Sequence, residues 1–293
     1  MEEFQLIDIE KVIMNKNPEL LKLLPGFILR LIKKIIHQDE INFALSEFRD
    51  YQGVDFVNKV LDHFSVNYTV YGEENFEPGK KYVFASNHPL GGLEGMILAR
   101  IIGNRFQKVM LPVNDILFNL RNLKPIFIPV NKHGMNSREA ILQYNRVYGS
   151  DCQIIMFPSG LVSRKNHGVI KDLHWEKSFM KKAIEYKRDI VPVYVKARNS
   201  WFFYFLANFR KFLGIKSNIE MFLLPHEMYS RRNIPFEIYF GKPLPCGSFG
   251  TLKNLNVWVD KLREYVYLLD NVNTCTFEEF AGIPHNIKPV DNV

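Results

Sequence analysis

The sequence predicts an α/β protein, a mixed sheet flanked by helices with an N-terminal helical pair in front of it. Three observations carry that expectation. Beyond Pro78-Gly79, short β-rich runs alternate with helix-periodic stretches, the pattern of a sheet covered by helices. Before that point the apolar residues keep helical spacing. The 293 residues are 47% apolar and 14% aromatic, enough to fill the core of one large domain, while 17 Gly and 15 Pro are too few for a low-complexity or collagen-like chain.

The first element is expected over residues 18–37, where Leu20, Leu21, Leu24, Phe27, Ile28, Leu31, Ile32, Ile35 and Ile36 fall on one broad stripe beside Lys22, Arg30, Lys33 and Lys34. A basic helix of this kind suits a membrane interface, and the same stripe suits a core equally well. A second helix with mixed charge is expected over 41–64. Strands follow at 82–86, 109–113, 126–130, 153–157, 190–196 and 236–240, separated by helices at 93–103, 137–149, 175–186 and 252–269. Aromatic bulk at 199–213 beside Arg210 and Lys211 reads as an interfacial helix, a lid on an acyl pocket or an ordinary buried helix. The chain therefore divides into a helical region at 1–72, an α/β domain at 73–270 and an extended tail at 271–293, where Gly282, Pro284 and Pro289 interrupt any periodicity.

Composition excludes several function classes. Thirty-eight Lys and Arg against 31 Asp and Glu give a net charge of +7, which favours an anionic membrane surface as readily as a solvated basic face. No RNP-like sequence, zinc-finger spacing or dense basic stripe points to nucleic acid. Eight scattered histidines without H-E-x-x-H give no expected metal site. Cys152, Cys246 and Cys275 are odd in number and widely spaced, so they read as reduced thiols of a protein facing the cytosol. The acidic start, Met1-Glu2-Glu3-Phe4, carries no signal-peptide pattern, and charge interrupts every apolar run before the roughly 18–20 residues that a spanning helix needs.

Chemistry is best placed at the end of the run 82–86. Asn87-His88 follows it directly, and Pro89-Leu90-Gly91-Gly92 leads into a helix whose first turn contains Glu94. Ligands of open α/β sheets bind beyond the carboxyl ends of strands, so His88 points toward that crevice. Glu94 can accept the N–H of one ring nitrogen, fixing the tautomer and raising the basicity of the other. An Asn-His-Pro turn can equally serve the loop backbone alone. A second strand runs into Phe157-Pro158-Ser159-Gly160-Leu161-Val162-Ser163-Arg164-Lys165, which can orient a polar head group. The G-x-S-x-G elbow of a serine hydrolase lacks its first glycine here. Pro125 to Gly134 and Ile190-Val-Pro-Val-Tyr194 complete a set of four strand-to-turn segments.

The order of these four segments resembles the lysophospholipid acyltransferase (PlsC-like) superfamily over roughly residues 80–245. Its blocks run N-H-x4-D, a strand leading to an arginine, F-P-E-G-T-R-S, and a V-P-V strand. The counterparts here are Asn87-His88 with Glu94, residues 126–128 with their turn, Phe157-Pro158-Ser159-Gly160 with Ser163, and Val191-Pro192-Val193. The resemblance implies a glycerolipid-acyltransferase-like fold and O-acylation of a lysolipid by acyl-CoA or acyl carrier protein, with no cofactor besides that co-substrate. It implies His88 as general base and Glu94 as its orienter, forming the catalytic pair. Asn87, Gly91, Gly92, Lys132, Phe157, Pro158, Ser159, Gly160, Ser163, Arg164 and Lys165 are the expected substrate-binding set, with the N–H groups of Gly91 and Gly92 as expected oxyanion donors.

The departures from the pattern are informative. The acid follows the histidine by six positions rather than five and is Glu rather than Asp. Ser159 and Val162 replace the Glu and Arg of the third block, and Val130 stands at the arginine position of the second. In that family the arginines are read as phosphate contacts, so their joint absence argues against a simple glycerol phosphate as acceptor, unless Lys132, Arg164 or Lys165 takes over from a shifted position. H-P-L-G-G-L-E-G with F-P-S-G-L-V-S-R resembles the branch linked to glycine and ornithine lipids. The alternatives are acylation of 1-acyl-glycerol-3-phosphate and an inactive lipid-binding protein of the same fold. The expected location is the cytoplasmic face of a membrane, bound peripherally.

Overall fold

A computed structural model describes residues 6–16, 18–114, 117, 120–129, 138–249, 255–271 and 275–282. Five helices come first: α1 (Ile9–Lys16), α2 (Pro18–Leu23), α3 (Gly26–Ile35), α4 (Gln38–Glu47) and α5 (Gly53–His63). Then follow β1 (Tyr68–Tyr71), β2 (Tyr82–Ser86), α6 (Leu93–Phe106), β3 (Val109–Val113), β4 (Phe127–Pro129), α7 (Arg138–Gly149) and β5 (Gln153–Met156). The chain continues with β6 (Arg164–Asn166), β7 (Val169–Lys171), α8 (Ser178–Glu185), β8 (Asp189–Lys196), α9 (Trp201–Phe212), α10 (Leu224–Arg231), β9 (Phe236–Phe240), α11 (Leu255–Val266) and α12 (Phe277–Ala281).

Seven strands form one mixed sheet in the order β1-β9-β8-β2-β5-β3-β4, while β6 and β7 make a separate hairpin. Every neighbouring pair in the large sheet is parallel except β8 with β9. The chain winds outward from β2 to β3 and β4, returns to β5, and then crosses β2 to reach β8. The carboxyl ends of β2 and β5 thus lie where the winding changes direction, the usual place for a ligand in such sheets. Period-two alternation separates two cores. Tyr82 and Phe84 of β2 join the face covered by α5 and α6, whereas Val83 and Ala85 join the face covered by α8 and α11.

The mixed α/β sheet flanked by helices matches the expectation, and the N-terminal region shows the differences. Each expected helix is divided in two. Pro25 cannot donate to a helical hydrogen bond, so α2 ends at Leu23 and α3 restarts with Pro25 as its N-cap. The run expected over 41–64 breaks before Gly53, whose φ of +56° lies in the left-handed region. The Asn122 amide donates to the carbonyls of Phe48, Arg49 and Tyr51 and pins that break. Within 1–72, β1 pairs with β9, and Ala44, Leu45, Phe56, Val57 and Leu61 are buried in the main core. The stretch expected as an extended tail contains α12, closed by a Thr276–Glu279 capping box, with Phe277 buried against the second core. Residue 130, residues 252–254 and residues 283–293 lie outside the described residues.

Candidate active site

The site begins with β2, which is buried along its whole length. Asn87 prolongs the strand through its side chain: the Asn87 amide donates to the Val195 carbonyl at 3.0 Å, and Val195 N–H donates back at 2.7 Å. His88 comes next and is held by its own backbone. Its N–H donates to Asp172 Oδ1 at 3.1 Å, and its carbonyl accepts from Ser163 N–H at 2.7 Å. The loop turns through Gly91 at φ +106°, a conformation rare for side-chain-bearing residues, and enters α6.

That turn brings Glu94 back under the imidazole. Glu94 Oε1 lies 2.9 Å from His88 Nδ1 and also accepts from the N–H groups of Leu90 at 2.9 Å and Gly91 at 2.8 Å. One glycine in the left-handed region takes up the extra loop residue, so the six-residue spacing closes the pair. Glu94 is 0% exposed, and Oε2 has no hydrogen-bond partner among the described residues. Burial pushes its carboxyl up, yet the charge and hydrogen bond of His88 and the two backbone donors outweigh burial and hold it below the usual carboxylate range. An ionised carboxylate only accepts, so Nδ1 carries a proton, and in the neutral form of the ring the lone pair is on Nε2. No described residue bonds Nε2. The Phe157 ring stacks on the imidazole with centroids 4.2 Å apart and planes at 24°, covering one face from water.

The remaining expected site residues separate into groups. Phe157 meets His88 directly. Pro158 accepts from Glu176 N–H, Ser159 Oγ donates to the Leu161 carbonyl, and exposed Gly160 turns at φ +57°, so this loop closes on itself. The Gly91 N–H is engaged by Glu94 and is unavailable as an oxyanion donor, while Gly92, at the start of α6, is exposed. The Asn87 side chain is engaged by the Val195 backbone, and Ser163 Oγ donates to Asp172 Oδ1 at 2.6 Å. The Arg164 guanidinium is buried, donating to Glu220 Oε1 at 2.7 Å and to the Val162 carbonyl at 2.8 Å. Lys165 is half-buried in β6, and Lys132 lies outside the described residues.

Three further residues position the site in roles that the sequence did not assign to them. Asp172 collects the His88 N–H, the Ser163 hydroxyl and the Trp175 indole N–H, the last at 2.9 Å, and so ties three segments together. The only signal for it was the hairpin that delivers it: His167-Gly168, at φ +47° and +85°, is a two-residue turn between β6 and β7. Asn199 donates to the Pro89 carbonyl at 3.0 Å. Leu224 of α10 packs over Gly91, where an added Cβ would lie 3.0 Å from its Cδ1.

Fold and site together define a class: an α/β protein that presents a carboxylate-held imidazole at the carboxyl edge of a largely parallel sheet. The chain belongs to the acyltransferase family, whose model matches residues 11–275, and it is an acyltransferase. It is 44% identical over 265 residues to the lyso-glycine lipid O-acyltransferase of Bacteroides thetaiotaomicron, covering 90% of this chain and 97% of that one. A protein of the same name from Phocaeicola vulgatus is 42% identical over 265 residues, covering 90% and 95%. Among solved structures, the 1-acyl-sn-glycerophosphate (LPA) acyltransferase PlsC of Thermotoga maritima aligns with a TM-score of 0.48 at 15% identity, over 76% of this chain and 80% of that one. The resemblance to the acyltransferase superfamily and its aminolipid branch is borne out.

Proposed function

We propose that the protein transfers a fatty acyl group from acyl-CoA or acyl carrier protein to the hydroxyl of a lysolipid carrying an amino acid such as glycine, while bound peripherally at the cytoplasmic face of a membrane. The observation that supports the chemistry is the His88–Glu94 pair. His88 Nε2 removes the proton of the acceptor hydroxyl as its oxygen attacks the thioester carbonyl. The tetrahedral intermediate collapses, the C–S bond breaks, and the imidazolium returns its proton to the departing thiolate. Glu94 stays ionised throughout, holding the ring and stabilising its positive form. A positioned base of this kind contributes about 10²- to 10⁴-fold, and orientation of the two substrates supplies much of the rest. Two relatives above 40% identity named for a lyso-glycine lipid support the acceptor class.

The acceptor is tested with purified protein, one acyl thioester, a lyso-glycine lipid and lysophosphatidic acid. The expected product is the diacylated glycine lipid, in clear excess. Product from lysophosphatidic acid alone overturns the acceptor and retains acyl transfer. Lipid binding without product from either, with both acyl-CoA and acyl carrier protein donors supplied, overturns the reaction in favour of a binding protein.

A further inference from the structure

We propose that α9 is a membrane-insertion element whose aromatic ridge docks the protein on an anionic lipid surface, forming one docking face with α3 across the cavity they share. This rests on, and deepens, the reading of the protein as a peripheral membrane enzyme.

The observation is an inverted helix. Its inward stripe of Phe203, Tyr204, Ala207 and Arg210 is buried and anchors it to the body. Its outward stripe is more aromatic still. Trp201, Phe205, Phe209 and Phe212 follow one another along a single helix face, with exposures of 69%, 44%, 47% and 85%. Neighbouring rings stack on one another, Trp201 on Phe205 at 5.0 Å and Phe205 on Phe209 at 5.7 Å. Leu213, Ile215, Ile219 and Phe222 extend the apolar surface. A contiguous patch of this kind marks an interaction surface rather than ordinary exposure.

Charge selects the occupant. Residues 200–219 contain Arg210, Lys211 and Lys216 and no Asp or Glu. Arg210 is engaged with Glu220, whereas Lys211 and Lys216 are exposed and form no ion pair among the described residues. Apolar rings ending in exposed cations suit the headgroup boundary of an anionic bilayer. A second copy packed ridge to ridge would bring like charges together.

Continuity with α3 supports the same occupant. A cavity of about 620 Å³ is lined by Ile35 of α3 and Phe202 of α9, with Leu223, Arg231 and Ile234 on its walls. Phe27, Arg30, Leu31 and Lys34 are exposed, so α3, which reaches the cavity through Ile35, is a second helix with a basic, apolar outer surface. The ridge is also coupled to the site: Asn199, two residues before Trp201, holds the loop after His88, and Ser200 N–H donates to Glu227 of α10 at 2.7 Å.

The test uses the full chain and sedimentation or flotation with phosphatidylglycerol/phosphatidylcholine vesicles and with pure phosphatidylcholine. A variant with serine at positions 201, 205, 209 and 212 is expected to lose about a hundredfold or more in partitioning, while its solution mass stays the same and its turnover on detergent-dispersed lysolipid stays within about twofold. Lys211→Glu with Lys216→Glu, which leaves the rings in place, is expected to abolish the preference for anionic vesicles. Unchanged partitioning in both variants overturns the proposal, as does a fall in solution mass, which would make the ridge an interface between copies. Loss of vesicle binding with no detectable turnover in the parent protein would instead count against the reaction and leave the docking face standing.

Discussion

Glu94 decides the electrostatics of the site. Its carboxylate meets three donors through one oxygen, and its ionised form is favoured in the native state. A carboxyl held below its unfolded value of about 4.3 stabilises the fold above that pH and loses the contribution as pH falls through the lowered native value. Glu94→Gln is therefore expected to lower Tm at neutral pH, with the gap to the parent protein closing below about pH 4; a gap constant across pH would place the stabilisation elsewhere. Turnover of the same variant should fall about 10²-fold or more, because the neutral amide no longer stabilises the imidazolium. Asp172→Asn replaces an acceptor of three donors with a group that itself donates. It should cost about 1–3 kcal/mol in denaturant unfolding and reduce turnover. His88 and Glu94 were legible in the sequence because both belong to one strand-to-helix turn, where spacing predicts proximity. Asp172 and Asn199 were not, since each reaches the loop from 84 and 110 residues away and no local pattern records such a contact. The pairing of Arg164 was not legible for the same reason: its partner Glu220 lies 56 residues on.

Among the elements, the strand-to-helix turn depends on Gly91 and on its contact with α10. Alanine at this position must adopt φ +106° and meet Leu224 at 3.0 Å, so Gly91→Ala should destabilise by about 1–3 kcal/mol and lower kcat through the displaced Glu94. Stability and kcat equal to the parent would show that the turn tolerates a side chain. A second junction depends on Arg188, fully buried, which donates to the carbonyls of Tyr148 at 2.7 Å, Cys152 at 2.7 Å and Ser150 at 2.5 Å and so closes the carboxyl end of α7. Arg188→Leu leaves those acceptors unpaired and is expected to cost roughly 3 kcal/mol or more in thermal or denaturant unfolding. The main strands were legible from their short β-rich runs bounded by turns. The breaks at Pro25 and Gly53 were not read, because a continuous apolar stripe outweighed one proline and one glycine. The four residues of β1 are too few to show alternation by themselves.

For the whole molecule, the N-terminal region is part sheet and core and part outer surface. Deleting residues 1–35 removes α1 to α3 and should leave a folded enzyme with weaker vesicle binding. Deletion through residue 66 also removes α5, whose Val57 and Leu61 are fully buried, and should give no cooperative unfolding transition. A cooperative transition in the longer deletion would show that the sheet needs none of the preceding helices. The sequence conveyed the layered architecture and the sheet-edge position of the site because both follow from the succession of strands and helices. It did not convey that 1–72 joins the sheet, since the β1–β9 pairing spans more than 160 residues. The central claim is that an imidazole held by Glu94 drives acyl transfer. Its most direct test is turnover of an acyl thioester and a lyso-glycine lipid by His88→Ala, with circular dichroism confirming an unchanged fold. The account predicts a loss of about 10²- to 10⁴-fold; turnover equal to the parent protein would contradict it.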